Sequence, residues 1–318
     1  MDYIEKFGLS ARPFQLVPAP KFFVPLKEHR RVLGALLRRL EDDALGAALT
    51  GGAGLGKTSI LAAFGDLMAK RQAVVLSIAV PIQATQNGAL LDLIAQRLGL
   101  GSFDHAAEAS LAIESFLTER PGSGRRFTIM FIDNAHGLSH TSIAQLLKLI
   151  RAVRVQGQPF AVVLAGRPAL LSALNGGSIT VSNAFAAASL KRLDSADQQS
   201  YVKGRLEIAG WTGKPALGAQ FFDALDQVAR GSPRAINYVM SRSLVEAALD
   251  GRREITGPDL IHAARELGQI RRRVRELDGR QAIAARRKTL QAVRSSIDEI
   301  AAQLKIQQAR LAALEAER

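Results

Sequence analysis

Gly51-Gly52-Ala53-Gly54-Leu55-Gly56-Lys57-Thr58, followed by Ser59, is the first stretch whose residue types and spacing could do chemistry. The spacing is G-x-x-x-x-G-K-[ST], the Walker A pattern. Glycines let backbone N–H groups turn inward around anionic oxygens with no Cβ in the way. A helix that starts at Lys57 adds partial positive charge at the same point. The pattern predicts a cradle for a nucleoside triphosphate, ATP, built from residues 51–59. Lys57 is expected to reach the β- and γ-phosphates, and the Thr58 hydroxyl to bind Mg²⁺. The acidic counterpart closes the apolar run Thr128-Ile129-Met130-Phe131-Ile132-Asp133. Asp133, at the carboxyl edge of a neighbouring strand, is expected to hold the same Mg²⁺ through its water shell.

These residues need a scaffold, and its elements are legible as hydrophobic periods. Apolar runs predict strands over 47–50, 73–80, 128–133, 160–165 and 187–190. Helical spacing covers 26–41, 57–70, 88–98, 107–118 and 141–153. Unbroken apolar strands separated by helices predict an α/β fold with a parallel sheet covered on both faces. Residues 1–25 read as irregular, because Pro13, Pro18, Pro20 and Pro25 exclude helix, and Phe7, Phe14, Phe22 and Phe23 suggest a segment packed on something. Residues 194–267 read as all-helical. Asp194 with Asp197 opens one helix, a second runs over 218–229, a third starts at Pro233 and a fourth follows Thr256.

The last part of the chain has a different pattern. Leu290, Val293, Ile297, Ile300, Leu304, Leu311 and Leu314 follow a heptad, with Gln307 on the seam, which predicts a long helix or coiled coil. Ahead of it, Arg271, Arg272, Arg273, Arg275, Arg280, Arg286, Arg287 and Lys288 face only Glu276 and Asp278. The whole chain of 318 residues carries a formal charge of +13, so a polyanion is a plausible partner, whether nucleic acid or an acidic membrane face. With no cysteine, disulfide scaffolds and thiolate metal sites are excluded. Aromatics are 5% of residues, which argues against a stacking surface for single strands. Residues 1–6 do not read as a secretory signal, and no apolar run reaches the ~20 residues of a membrane span, so a cytoplasmic protein is expected, with at most peripheral membrane contact.

On these residues the chain resembles an AAA+ P-loop ATPase, more narrowly the ExeA/GspA type of general secretion, with the TnsC-type transposition ATPases as relatives. The resemblance is carried by Walker A and by the opening Phe7-Gly8-Leu9, Arg12-Pro13-Phe14, Pro18 and Pro20-Lys21-Phe22. It is carried further by Ile132-Asp133-Asn134-Ala135-His136-Gly137-Leu138-Ser139 and by Gly231-Ser232-Pro233-Arg234-Ala235-Ile236-Asn237. The patterns along the chain divide it into an N-terminal segment and helix (1–44), a nucleotide-binding α/β domain (45–193), a helical lid (194–268) and a basic, heptad-patterned helix (269–318), and the resemblance covers residues 1 to about 267 of it. The resemblance implies a sensor arginine at Arg234, reaching from the lid to the nucleotide. It also implies a sensor position at Arg167, from which an arginine could touch the γ-phosphate or instead form a surface ion pair. The opening segment around Phe14 and Pro18 would pack near the adenine.

The sequence departs from the family in two places. Where relatives carry a glutamate after the Walker B aspartate, this chain has Asn134, which can orient water but cannot take its proton. Where relatives carry arginines that act in trans, residues 178–185 have none, which leaves Arg151 and Arg154 as substitutes or as a solvated helix face. Spacing alone leaves His136 and Asp104 unplaced. The expectation is therefore an ATP·Mg²⁺-binding protein with slow hydrolysis, with Lys57, Asp133, Asn134, Arg234 and Arg167 as its catalytic set. It would assemble as a ring or filament of itself on a macromolecular partner, with nucleic acid meeting 271–288 and a partner helix meeting 290–314. The competing expectations are a nucleotide-gated scaffold or DNA-binding module with little turnover, and a peripheral component of an envelope secretion system.

Overall fold

Strands that bury both faces must lie inside a sheet with helices above and below, and the chain is built that way. The computed structural model describes residues 2–81, 89–119, 126–175, 183–266 and 268. The basic segment 271–288 and the heptads of 290–314 lie outside them, as do residues 178–182. Residues up to Ala263 make one compact unit.

Its elements are α1 (Tyr3–Phe7), α2 (Lys27–Glu41), β1 (Gly46–Gly51), α3 (Lys57–Lys70), β2 (Val74–Ala79), α4 (Ala89–Arg97) and α5 (Ala106–Thr118). There follow β3 (Thr128–Asp133), α6 (His140–Val155), β4 (Phe160–Gly166), α7 (Ala169–Asn175) and β5 (Phe185–Leu190). The helical segment holds α8 (Ser195–Ile208), α9 (Phe221–Ala229), α10 (Pro233–Leu249) and a last helix, 257–266, with short strands β6 (Ala216–Leu217) and β7 (Glu254–Ile255).

The five-stranded sheet has the order β2-β3-β4-β1-β5, all parallel. Alternation along each strand sorts the core into two layers. Ala48, Met130, Ile132, Val162 and Leu164 pack with Leu90, Ile94, Ile113, Leu146 and Ile150 of α4, α5 and α6. Leu49, Ile129, Phe131, Val163 and Ala165 pack with Val32 and Leu36 of α2 and Ile60 and Phe64 of α3. No helix among the described residues is long and apolar enough to cross a membrane.

Three features differ from the sequence reading. Residues 1–25 are not wholly irregular: α1 forms ahead of the first proline, with Asp2 accepting from the Ile4 amide at its start and Gly8 closing it in the left-handed conformation. A 3-10 turn follows at Pro20–Phe22. The helical segment is not all helix, because β6 pairs with β7 in a ladder too short for a period-2 signal to register. Finally, β3 is not the neighbour of β1. The wholly buried run of β4 takes the place between them, while the half-exposed β2 goes to the edge.

Phe7, Phe14 and Phe22 are buried, so the opening segment is packed as its phenylalanines predict. The helical segment is also fastened to α2. The α2 N-terminus has Leu26 at its cap, which offers no side-chain acceptor. Instead Asp197, near the start of α8, accepts from the Lys27 amide at 3.2 Å and the Glu28 amide at 3.3 Å. Asp197→Ala is expected to cost about 1–2 kcal/mol in urea unfolding, with Asp197→Asn recovering part because it keeps one acceptor oxygen. An unchanged midpoint would mean that water serves these amides as well.

Candidate functional site

Gly51 ends β1, and Lys57 opens α3, so the loop between them hangs at the carboxyl edge of the sheet, where α/β folds bind ligands. Gly56 caps α3 with φ 94°. Gly54 has φ 76°, and a Cβ there would lie 2.9 Å from the Arg234 Cβ and 3.2 Å from the Ser232 hydroxyl. Glycine at 54 is thus what lets the start of α10 seat directly on the loop. The Arg234 amide donates to the Gly54 carbonyl at 3.1 Å, and the Ser232 hydroxyl at 3.5 Å. Gly231, with φ 68°, is needed on the other side, since a Cβ would strike the Leu193 carbonyl oxygen at 2.2 Å.

Lys57 Nζ donates to the Gly51 and Gly52 carbonyls at 2.8 and 2.9 Å. Thr58 Oγ1 donates to Asp133 Oδ2 at 2.5 Å. The first turn of α3 therefore reaches past the end of β4 to the end of β3, as Thr50 pairs with Gly166 and Ile132 with Leu164 in one register. Asp133 also accepts from the Asn134 amide at 2.8 Å. Asn134 is exposed in the left-handed conformation, φ 61°, which asparagine adopts more readily than most residues.

A cavity of about 620 Å³ joins these groups. One end is lined by residues 53–59, Asp133, Asn134, His136, Arg167 and Arg234. Its other walls are the opening segment from Gln15 to Val24 and, from the helical segment, Tyr201, Arg205, Pro233 and Asn237. Burial pulls the Lys57 ammonium below its ordinary pKa; Asp133 opposes that shift, and the Arg167 and Arg234 guanidiniums add to it. Burial, then Arg167 and Lys57, likewise hold the His136 imidazole low, against Asp133. His136 Nδ1 is buried with no hydrogen-bond partner. That end of the cavity thus gathers Lys57, Arg167 and Arg234 around the Asp133 carboxylate, which suits a polyanion that brings its own cation.

Lys57, Thr58, Asp133, Asn134, Arg167 and Arg234, the residues singled out in the sequence, all line this cavity. Arg167 is exposed, one residue past β4, on the cavity wall. Asp104 is exposed and does not line the cavity. Arg154 is a correction as an arginine-finger substitute. Its guanidinium donates to the Phe160, Asp43 and Ala44 carbonyls at 2.7, 3.0 and 2.9 Å and pairs with the Asp43 carboxylate. Those partners stand at the amino-terminal edge of the sheet, opposite Asp133. Arg151 is exposed on the same helix, α6. Sequence reasoning missed His136, Tyr201 and Arg205 as wall residues. Asn237 stood in the quoted G-S-P-R-A-I-N stretch without a role.

Residues 40–174 match the AAA domain family. General secretion pathway protein A of Aeromonas hydrophila is 28% identical over 274 residues, 85% of this chain and 49% of that protein. The chain therefore spans about half the length of that curated relative. Among solved structures, the ORC2 protein of Aeropyrum pernix in ADPNP and ADP complexes superposes with a TM-score of 0.61 at 16% identity, over 81% of this chain and 72% of that one. The ORC1 protein of the same organism in complex with DNA gives 0.60 at 15% identity, over 80% and 69%. Sequence and fold agree: residues 40–174 carry an AAA domain, and the chain as a whole is similar to general secretion pathway protein A.

Proposed function

We propose that the cavity binds ATP with Mg²⁺, hydrolyses it slowly, and uses the bound state to assemble the chain on a macromolecular partner. Residues 45–193 would form the nucleotide-binding part and 194–268 the lid. The observation that carries this reading is the 2.5 Å contact between Thr58 and Asp133 at the mouth of a glycine loop that also presents Lys57. The donor set fits Mg²⁺, a hard cation that takes hydroxyl, carboxylate and phosphate oxygens. Thr58 and Asp133 would hold it, and it would neutralise charge on the phosphate oxygens.

The chain's own groups supply the rest. The loop amides and the α3 N-terminus bind the phosphates. Lys57 exchanges two loop carbonyls for phosphate oxygens. Arg234, docked on Gly54, carries the state of the phosphate end to the helical segment. Arg167 is set to meet the terminal phosphate. Asn134 can hold a water by its side-chain amide but takes no proton from it, which makes turnover slow.

A second reading, a nucleotide-gated scaffold with no turnover, is favoured by the same Asn134. The partner is read from two sides. The relative named for general secretion supports a secretion component, and the charge of 271–288 supports nucleic acid. Calorimetric titration with ATP, with and without Mg²⁺, together with phosphate release with and without DNA, tests both readings. Mg²⁺-dependent binding with slow release is expected. Binding with no release in either condition selects the scaffold, and no binding at all overturns the site.

A further inference from the structure

The wall opposite the phosphate loop is held by a buried polar network. Arg205 on α8 is 7% exposed, so its guanidinium must find acceptors within the protein. It donates to the Pro13 carbonyl at 2.7 Å and to the Tyr201 hydroxyl one turn earlier. That hydroxyl donates to Asn237 Oδ1 at 2.9 Å, and Asn237 Nδ2 donates to the Gln15 carbonyl at 2.8 Å. Two helices of the lid segment thus grip two carbonyls of the opening segment on either side of Phe14, itself 2% exposed. Just past that grip, Leu16 and Val17 are 59% and 71% exposed, and both line the cavity. Apolar side chains left open on a cavity wall suit a flat, weakly polar ligand face.

We infer that Tyr201, Arg205 and Asn237 form a latch that holds in place residues 15–17, the stretch expected beside the adenine, so that loosening it weakens a nucleotide more than a bare polyphosphate. The inference rests on the ATP reading above and adds to it the residues that hold the opening segment. The phosphate end is built by the loop, Asp133 and Arg234. The base end is built by a strand of main chain with no regular partner, whose position depends on the latch. Because Asn237 lies on α10, the helix that also carries Arg234, one rigid element sets both ends. Movement of that helix would therefore alter base and phosphate contacts together. Burial pushes the Tyr201 hydroxyl up in pKa, against Arg205 and Asn237, so it remains an O–H donor to Asn237 at neutral pH.

The test compares ATP with inorganic tripolyphosphate, both with Mg²⁺, on the full chain. Asn237→Asp keeps the acceptor for Tyr201 and the side-chain shape but loses the donor to the Gln15 carbonyl. ATP affinity is expected to fall about tenfold, the size of one buried hydrogen bond, while tripolyphosphate changes less than about twofold. Tyr201→Phe, which removes the hydroxyl shared by Arg205 and Asn237 but leaves their own donations to the Pro13 and Gln15 carbonyls, should give the same split in smaller measure, and it carries the test if the first variant does not fold. Equal losses for both ligands, or no loss for either, overturn the latch. If the unmodified chain binds neither ligand, the phosphate site itself has failed, and that result is distinct from a lost split.

Discussion

Replacing Lys57 by alanine is expected to cost about a hundredfold or more in ATP·Mg²⁺ affinity, roughly 3 kcal/mol. The ammonium sits where two loop carbonyls converge, held at 2.8 and 2.9 Å. Burial already disfavours its charge there, and Arg167 and Arg234 add to the strain. A bound triphosphate would offset the burial and both guanidiniums at once, since it offers anionic acceptors and screens like charges from one another. Charge-assisted bonds of this kind contribute about 1.5–3 kcal/mol each, so losing the ammonium outweighs any other single change at the loop. The apo protein should not suffer. Removing a half-buried cation beside two arginines leaves thermal stability unchanged or higher, and that separates a binding defect from a folding one. Titration with a fluorescent ATP analogue, alongside a melting curve, reads both quantities. An affinity within about threefold of the unmodified chain would remove Lys57 from the phosphate site and leave Arg234 and Arg167 as its cations.

The two halves of this site differ in how far they can be read from the chain alone. Walker A is legible because its chemistry is local: glycines, lysine and hydroxyl must occupy fixed steps between a strand and a helix, and the α3 boundaries, Lys57–Lys70, fall where the period places them. Asp133 is legible for a related reason, since an apolar run that ends in a carboxylate marks where a buried strand emerges. What cannot be read is which strand lies beside which. Nothing in the composition of β3 or β4 separates them; the full burial of β4 on both faces is a property of the assembled layers. The same holds for Arg154, which sequence counts as a free cation on a helix face and the fold spends on three carbonyls at the far edge of the sheet. The latch is the extreme case. Tyr201 and Arg205 are one helical turn apart, an ordinary spacing, and their partners at Pro13 and Gln15 are main-chain carbonyls, which leave no mark in any sequence pattern. Asn237 stood in a recognisable motif, yet its task became visible only with the opening segment laid across it.

Asn134→Glu is expected to raise the rate of ATP hydrolysis by about a hundredfold, the usual worth of a positioned general base. The position is right for one. Asn134 follows Asp133 directly, lines the same cavity, and is exposed to it. Its side-chain amide can orient a water but has no lone pair basic enough to take the proton as the terminal phosphorus is attacked. A glutamate supplies that lone pair. It also brings a cost that the structure defines. The backbone at 134 has φ 61°, where asparagine sits with little strain and a longer side chain does not, so the variant should lose about 1 kcal/mol of folding stability. A gain in turnover together with a small drop in melting temperature is therefore the expected signature, read by phosphate release and by calorimetry on one preparation. The size of the gain locates what else is missing. Residues 183–185, at the start of β5, carry no arginine, and Arg154 is committed elsewhere, which leaves Arg151, exposed on α6, as the remaining candidate for a trans-acting cation. If Asn134→Glu melts lower but hydrolyses no faster, the proton acceptor was not limiting. The deficit then lies in charge stabilisation at the terminal phosphate, where Arg167 is the residue in reach and Arg167→Ala becomes the next measurement.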